Sequence, residues 1–299
     1  MEILLTGANG FLGRALQQQL QDHQVTSLGR ANADVLADLS RTIPEFNQDF
    51  ELVVHAAGQA HLVPRGIDQI NLFQQVNVQG TANLLAGLEK RTIPKYFVFI
   101  SSVSVYGLDT GVNITEEAPL TATDPYGKSK IAAEILVKDW CTRHKVKCTI
   151  LRLPLIAGPN PPGNLGFMLK GLQKGFYFNI GGGKAKKSIV LAEDIGRFLV
   201  RAAQTGGTYN LTDGEHPTFM ALSRFMAKHL KRSFLPNIPY FLALVLAKFG
   251  DFLGEKAPIN SLKLKKITTS LTFSDAKARV SFGWNPTPVL KGFKLFSYD

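Results

Sequence analysis

Short apolar runs alternate with longer amphipathic stretches along the first two thirds of the chain. Glu2 to Leu5, closing on Thr6, is the first run, and Gln24–Leu28, Phe50–Val54, Tyr96–Ile100, Cys148–Pro154 and Thr208–Leu211 follow. Most are apolar on consecutive rather than alternate positions, as in parallel strands buried on both faces. Between them, Phe11, Leu12, Ala15, Leu16 and Leu20 recur at helical spacing. A second helix is expected over Asn71–Leu88, with Val78, Thr81, Leu84 and Leu85 inward, and others open at Asp124-Pro125, within Pro161–Leu172 and at Ala192-Glu193-Asp194. In the last of these an acidic N-terminal cap is expected. Strands alternating with helices predict an α/β fold, a doubly wound parallel sheet of about seven strands.

The last quarter is harder to read. Tyr240–Ala247, with Phe249, Phe252 and Leu253 beyond, is strongly apolar and begins after Pro239. It is too short for a membrane span, which needs about 20 apolar residues, so a core helix of a smaller lobe is expected. Charge complicates that picture. The chain carries 34 Lys and Arg against 23 Asp and Glu, net +11, and residues 221–299 hold 13 against 4, net +9. Nucleic acid, an anionic membrane, a phosphorylated substrate or a solvated basic face are the readings such a bias admits. Lys228, Lys231 and Arg232 precede the apolar stretch, and Lys263, Lys265 and Lys266 follow it. Apolar side chains flanked by such clusters are the ingredients of a surface resting on an anionic leaflet.

A composition of 45% hydrophobic and 19% charged residues is that of a soluble globular protein, and 299 residues can bury a large core. The two cysteines, Cys141 and Cys148, read as free thiols in a reducing compartment, with no Cys/His cluster suggesting a metal. No basic n-region followed by an apolar h-region precedes the first strand, so a cytoplasmic location is expected.

Chemistry enters at the first turn. Gly7, Gly10 and Gly13 stand between the first strand and the first helix, the order a dinucleotide pyrophosphate needs. Gly7 allows the sharp turn, Gly10 the approach of backbone to phosphate, and Gly13 the close packing of helix on strand. The helix N-terminus then offers free N–H groups and a positive dipole end. Gly7, Asn9, Gly10, Phe11, Leu12 and Gly13 are therefore the candidate pyrophosphate site. An NAD enzyme usually places a carboxylate at the end of the second strand for the ribose 2′-OH. Gly29-Arg30 stands there instead, and a guanidinium suits a 2′-phosphate, which favours NADP(H) over NAD. Asp38-Leu39 sits where a carboxylate could reach the adenine amino group. Small residues Ala56, Ala57 and Gly58 let backbone pass beside the dinucleotide, and Asn77 lies on the following helix. His55 reads as a strand-end histidine packed in the core, and His61, in a loop, as the better ligand-facing candidate.

The fourth strand ends in Ser101-Ser102-Val103-Ser104-Val105-Tyr106-Gly107, and Tyr126 and Lys130 share a helix face four residues apart. An ammonium near a phenol, with a cationic nicotinamide beside it, favours phenolate, whose ordinary pKa is ~10. A strand-end serine hydroxyl can hold a substrate oxygen while the tyrosine moves its proton.

With TGANGFLG at 6–13, HAAG at 55–58, NVQGT at 77–81, SSVSVYG at 101–107 and YGKSK at 126–130, the whole chain resembles an extended short-chain dehydrogenase/reductase of the NAD-dependent epimerase/dehydratase family. Within it the chain is similar to nucleotide-sugar 4-epimerases and 4-ketoreductases of bacterial surface-polysaccharide pathways. The resemblance implies a Rossmann sheet over residues 1–155 and about 187–212, with a substrate lobe from about 156–186 and 213–299. It implies Ser102, Tyr126 and Lys130 as the catalytic set, with Ser102 chosen over Ser101 because it lies four residues before Tyr106. It also implies Pro154 beside the nicotinamide, and Ser104, Asn164 and Lys187 on the substrate. Lys187 stands where the family usually has an arginine for the diphosphate. Gly181-Gly182-Gly183-Lys184 is not a phosphate loop, because Ala185 follows where Ser or Thr is needed; a flexible loop of the substrate lobe is expected.

The activity expected is hydride transfer at C4 of a nucleotide sugar with NADP or NAD: a 4-ketoreductase first, a 4-epimerase with retained NAD as the alternative. Dehydratases of the family carry an acidic pair after the serine, and Val103 and Ser104 are not acidic. A non-catalytic dinucleotide sensor would commonly lack the tyrosine or lysine, and both stand here. Nucleic acid is not an expected partner; a homodimer and a weak peripheral membrane contact are left open.

Overall fold

The computed structural model of the protein describes residues 1–60, 66–232, 234–252 and 259–296. Its elements are β1 (Glu2–Thr6), α1 (Phe11–Gln19), β2 (Gln24–Gly29), β3 (Val35–Leu36), β4 (Leu52–His55), α2 (Ile67–Phe73), α3 (Gly80–Glu89), β5 (Tyr96–Ser102), β6 (Gly111–Ile114), α4 (Pro125–His144), β7 (Lys147–Leu153), β8 (Leu155–Ala157) and α5 (Gly163–Lys174). There follow β9 (Asn179–Ile180), β10 (Ile189–Leu191), α6 (Ala192–Thr205), β11 (Gly207–Asn210), α7 (Phe219–His229), β12 (Asn237–Ile238), α8 (Tyr240–Phe252), α9 (Ser261–Thr268), β13 (Leu271–Phe273), α10 (Ala276–Phe282) and α11 (Val289–Gly292).

Seven strands pair in parallel in the order β11-β7-β5-β4-β1-β2-β3. The apolar runs are unbroken because both faces are covered. On one face Ile3, Leu5, Val54, Val98 and Leu151 pack with Leu16, Leu20, Ile195 and Leu199 of α1 and α6. On the other, Leu4, Val53, Phe97, Phe99 and Ile150 meet Leu84, Leu88, Val137 and Trp140 of α3 and α4. The strand order reverses between β1 and β4, and ligands of such sheets bind in the crevice outside that point.

Three expectations are corrected at this level. The helix expected over Asn71–Leu88 is a longer run, α2 and α3 joined by a π-helical segment at Gln74–Gln79 in which Asn77 is buried. Asp194 is not a cap: Leu191 is the N-cap residue of α6, and Asp194 instead accepts from the Thr287 amide at 2.6 Å and pairs with Arg197. Residues 240–252 are helical, but the large side chains are not core; only Ala243, Ala247 and Gly250 are buried.

A further apolar cluster is built on Met168, Leu169, Leu222, Met226 and Phe293 of α5, α7 and the segment after α11. Short parallel pairs β8–β10, β9–β12 and β6–β13 lie outside the seven-stranded sheet. Gly181–Gly183 forms a 3₁₀ turn with all three residues at positive φ, and it does not open onto a helix as a phosphate loop would. Cys141 and Cys148 are free thiols.

The glycine turn is packed to its limit. A methyl at Gly13 would overlap the Gly7 carbonyl oxygen and lie 2.7 Å from Ala8 Cα. Gly13→Ala is therefore expected to cost about 1–3 kcal/mol, the usual penalty for overpacking, and to weaken dinucleotide binding. Urea unfolding and cofactor titration of the variant measure both, and unchanged values would mean that α1 can retreat from β1 freely.

Candidate active site

The crevice is lined first by backbone. Gly7 has φ +73°, and a Cβ there would stand 2.7 Å from the Ala57 amide nitrogen, so the turns after β1 and β4 touch. Gly10 is the N-cap residue of α1, with no side-chain cap and no acidic residue in the first turn, so the helix N-terminus stays open to an anion. Phe11 and Leu12 follow it, half-buried. These features fit a dinucleotide pyrophosphate. Asn9 ties this turn to the loop after β2, donating to the Ala31 and Asn32 carbonyls at 2.8 and 3.0 Å.

At the end of β2 the nearby carboxylates are occupied. Asp34 accepts from the Ser27 amide and hydroxyl at 2.8 and 2.7 Å, which holds its pKa below the ordinary value. Asp38 Oδ1 accepts from the Ser40 hydroxyl and amide, and its pKa is lowered by that hydroxyl first. Arg30 is exposed beside them and contributes to lowering Asp38. The Leu39 carbonyl accepts from Asn83 Nδ2 at 2.7 Å, anchoring this loop on α3.

Under the crevice floor runs a chain of hydrogen bonds that fixes a tautomer. Thr81 Oγ1 donates to the Asn77 carbonyl at 2.6 Å, so towards His55 Nε2, 2.9 Å away, it must accept. Nε2 therefore carries the proton, and Nδ1 accepts from Thr6 Oγ1 at 2.7 Å. Thr6 Oγ1 in turn accepts from the Ala57 amide at 3.0 Å. His55 is thus the packed strand-end histidine expected of it. Burial, with Lys130 nearby, pushes its pKa down to about 3. Asn77 is buried and spends its amide on protein: Oδ1 accepts from the Gln59 amide at 2.7 Å, while Nδ2 donates to the Gln59 carbonyl and to Ser129 Oγ. It holds the segment after Gly58 against α4. His61 lies outside the described residues.

Ser102, Tyr126 and Lys130 come together as the strand end and the first turn of α4 meet. Asp124 caps α4 by accepting from the Gly127 amide at 2.9 Å. The Ser102 side chain lies close enough to the Tyr126 phenol to lower its pKa, and its hydroxyl accepts from the Ser104 amide at 3.2 Å. Lys130 is buried, donates to the Ile100 carbonyl at 2.7 Å and sits 4.5 Å from the Phe99 ring centroid. Burial lowers its pKa to about 8. Burial raises the pKa of the Tyr126 phenol, opposed in part by Ser102 and supported by the Asp124 charge. Pro154 follows β7, half-buried.

Ser104 Oγ, two residues beyond Ser102, is buried with no hydrogen-bond partner, an orphan hydroxyl at the strand end. Asn164 is exposed in the first turn of α5. Lys187 is half-buried, its pKa lowered by burial, with Asp109 and Lys266 within electrostatic reach. Among the described residues, no group of three or more His, Cys, Asp or Glu side chains is placed to hold a metal ion.

Sequence reading missed the support behind these groups. Glu134 and Arg152 are both buried and meet side-on, Arg152 Nε and Nη2 donating to Oε1 and Oε2 at 3.0 and 2.8 Å. Ser101 Oγ donates to the same carboxylate at 2.6 Å. Arg152 Nη1 donates to the Tyr106 hydroxyl, which donates to Asn210 Oδ1 at 2.8 Å. The available signal was a charge inside an otherwise apolar strand, with Glu134 one further step of four along the face of Tyr126 and Lys130.

Residues 3–212 match the NAD dependent epimerase/dehydratase family. The chain belongs to that family. It is an enzyme family, and the nicotinamide dinucleotide of its name is the group this crevice fits. The chain is 28% identical over 300 residues to N-acetyl-alpha-D-glucosaminyl-diphospho-ditrans,octacis-undecaprenol 4-epimerase of Escherichia coli O157:H7, covering 93% of this chain and 89% of the relative. It is 33% identical over 151 residues to GDP-6-deoxy-D-mannose reductase of Pseudomonas aeruginosa, 46% of each chain. Among solved structures, RMD from Pseudomonas aeruginosa complexed with NADPH superimposes with a TM-score of 0.73 at 21% identity, covering 97% and 96% of the two chains. That last likeness is one of fold.

The neutral His55 makes a stability prediction. Its folded pKa of about 3 lies below the ordinary ~6.5 of the unfolded chain, so protons favour unfolding. Stability should be full above about pH 6.5 and fall as pH drops towards 3, His55 contributing up to ~1.4 kcal/mol per pH unit. Urea unfolding from about pH 8 to about pH 5 should show this slope, and His55→Gln should flatten it. An unchanged slope in the variant would assign the acid sensitivity to other groups.

Proposed function

We propose that the protein is an NADPH-dependent 4-ketoreductase of a nucleotide-diphosphate sugar. The observation that carries the NADPH reading is the end of β2, where Asp34 and Asp38 are engaged by serines and Arg30 is exposed. A guanidinium there suits the 2′-phosphate of NADP(H) and leaves no free carboxylate for a 2′-OH. When bound, the cofactor supplies the hydride. The chain supplies the rest. Tyr126, kept protonated by burial, is the acid that gives its proton to the C4 oxygen as hydride arrives. Ser102, beside the phenol, orients that oxygen, and Ser104 offers its unpartnered hydroxyl to the sugar. Lys130 holds the nicotinamide ribose, and Lys187 and Asn164 take the diphosphate side. The proposed cofactor set beyond these is Gly7, Asn9, Gly10, Phe11, Leu12, Gly13, Arg30, Asp38, Leu39, Ala56, Ala57, Gly58 and Pro154. Asn77 acts on it through the Gln59 backbone.

The second reading is a 4-epimerase that retains NAD. It is supported by the near full-length match to a 4-epimerase whose named substrate is a diphospho-polyprenol sugar.

Two measurements follow. Tyr126→Phe should bind cofactor within a few-fold of the parent and turn over roughly 10²-fold or more slowly, since a positioned acid contributes about 10²–10⁴. Near-normal turnover would remove the tyrosine from the chemistry. In titrations, the parent should prefer NADPH to NADH, and Arg30→Ala should lose that preference, about ten- to hundred-fold for a charge-assisted contact of about 1.5–3 kcal/mol. Equal binding of both by the parent would return the choice to the NAD-retaining epimerase.

A further inference from the structure

Helix α8 is built the wrong way round for a surface helix. Its buried positions are Ala243, Ala247 and Gly250, small residues that let it lie close on the lobe. Its outward face is Phe241, Leu242, Val245, Leu246, Phe249 and Phe252, with Phe241, Phe249 and Phe252 64%, 68% and 90% exposed. An amphipathic helix ordinarily turns its large apolar side chains to the core, and contiguous exposed apolar patches mark interaction sites. Phe241, Val245, Phe249 and Phe252 follow one another at helical spacing, so they form a single stripe.

The surroundings of the stripe decide what covers it. Lys248 is exposed on α8 itself. Helix α9 packs against α8 through Leu264, in one cluster with Ala243 and Ala247, and presents Lys265 and Lys266 together with exposed Leu262. The whole quarter, residues 221–299, carries net +9. A second copy laid on this face would set these cations against themselves, a repulsion interfaces avoid. An anionic bilayer satisfies both features, taking the apolar stripe among its acyl chains and the lysines among its headgroups. Thirteen residues make a helix about 20 Å long, short of the ~30 Å hydrocarbon core, so α8 suits the plane of the interface and not a crossing. No helix among the described residues is long and apolar enough to cross a membrane.

We infer that α8 and α9 form a docking face for an anionic membrane surface, with the α8 stripe inserted shallowly. The face adjoins the candidate cleft: Lys266 lies 3.9 Å from Asp109, and both act on the Lys187 side chain. The inference is independent of the choice between reductase and epimerase.

Its test is sedimentation of the purified protein with vesicles of phosphatidylcholine alone or mixed with phosphatidylglycerol. Binding should be strong to the anionic vesicles at low salt, weak to the neutral ones, and should fall as salt is added. Lys248→Gln with Lys265→Gln should lower the partition coefficient about ten- to thirty-fold, at roughly one headgroup-facing charge each. Phe241→Ser with Phe249→Ser should remove binding at any salt. NADPH titration of each variant, expected unchanged, reports the folded state separately, and failure of the parent to bind NADPH would count against the reductase reading alone. A parent that stays in the supernatant with anionic vesicles at low salt overturns the inference. So does a concentration-dependent dimer that the double serine variant abolishes while vesicles remain unbound.

Discussion

The buried pair of Arg152 and Glu134 is the constraint on which the site depends. Two charges taken out of water are tolerated only when each satisfies the other and the remaining donors and acceptors find partners. Here they do: the carboxylate also accepts from Ser101, and the guanidinium also reaches Tyr106. Ser101 is on β5, Glu134 on α4, Arg152 on β7, and Tyr106 passes the connection to Asn210 at the end of β11. Any slide of α4 along the sheet would break a fork of two short bonds inside the protein. Since Tyr126, Lys130 and Glu134 recur every four residues on α4, locking Glu134 also sets the height of the phenol beside Ser102. A pair of this kind is weak evidence for stability as such, but it is a stringent specification of register.

A second polar system does the same for the crevice. The chain from the Ala57 amide through Thr6, His55 and Thr81 to the Asn77 carbonyl joins β1, β4 and the π-helical turn by hydrogen bonds with one consistent direction. It works only with neutral imidazole. Burial and the neighbouring Lys130 ammonium keep it so. The glycines then let the two loop backbones approach to contact distance. Rigid floor and bare walls together explain how a site with few side-chain donors can still be well defined.

The central sheet and helix α8 obey different rules. Around the sheet large apolar residues point inward on both faces, and the buried Arg152–Glu134 and His55 systems are closed networks. In α8 the small residues face inward and the large ones outward. Ala243, Ala247 and Gly250 let the helix seat closely, with Leu244 packed beside them.

Much of this was legible from residue order. Unbroken apolar runs alternating with helical periodicity required a covered parallel sheet, and the spacing of Gly7, Gly10 and Gly13 after β1 required a close turn. The four-residue step from Tyr126 to Lys130 put both on one face. These are local properties, set by backbone sterics and side-chain periodicity. What pattern alone left undecided were questions of partnership across the chain: that Arg152 meets Glu134, that Asn77 spends its amide on Gln59, that the buried Lys130 ammonium donates to the Ile100 carbonyl, that burial raises the Tyr126 pKa, and that most of the large apolar residues of α8 face out. Each depends on which distant groups share a desolvated space, and desolvation, unlike periodicity, is a property that only the folded arrangement of the whole chain can assign.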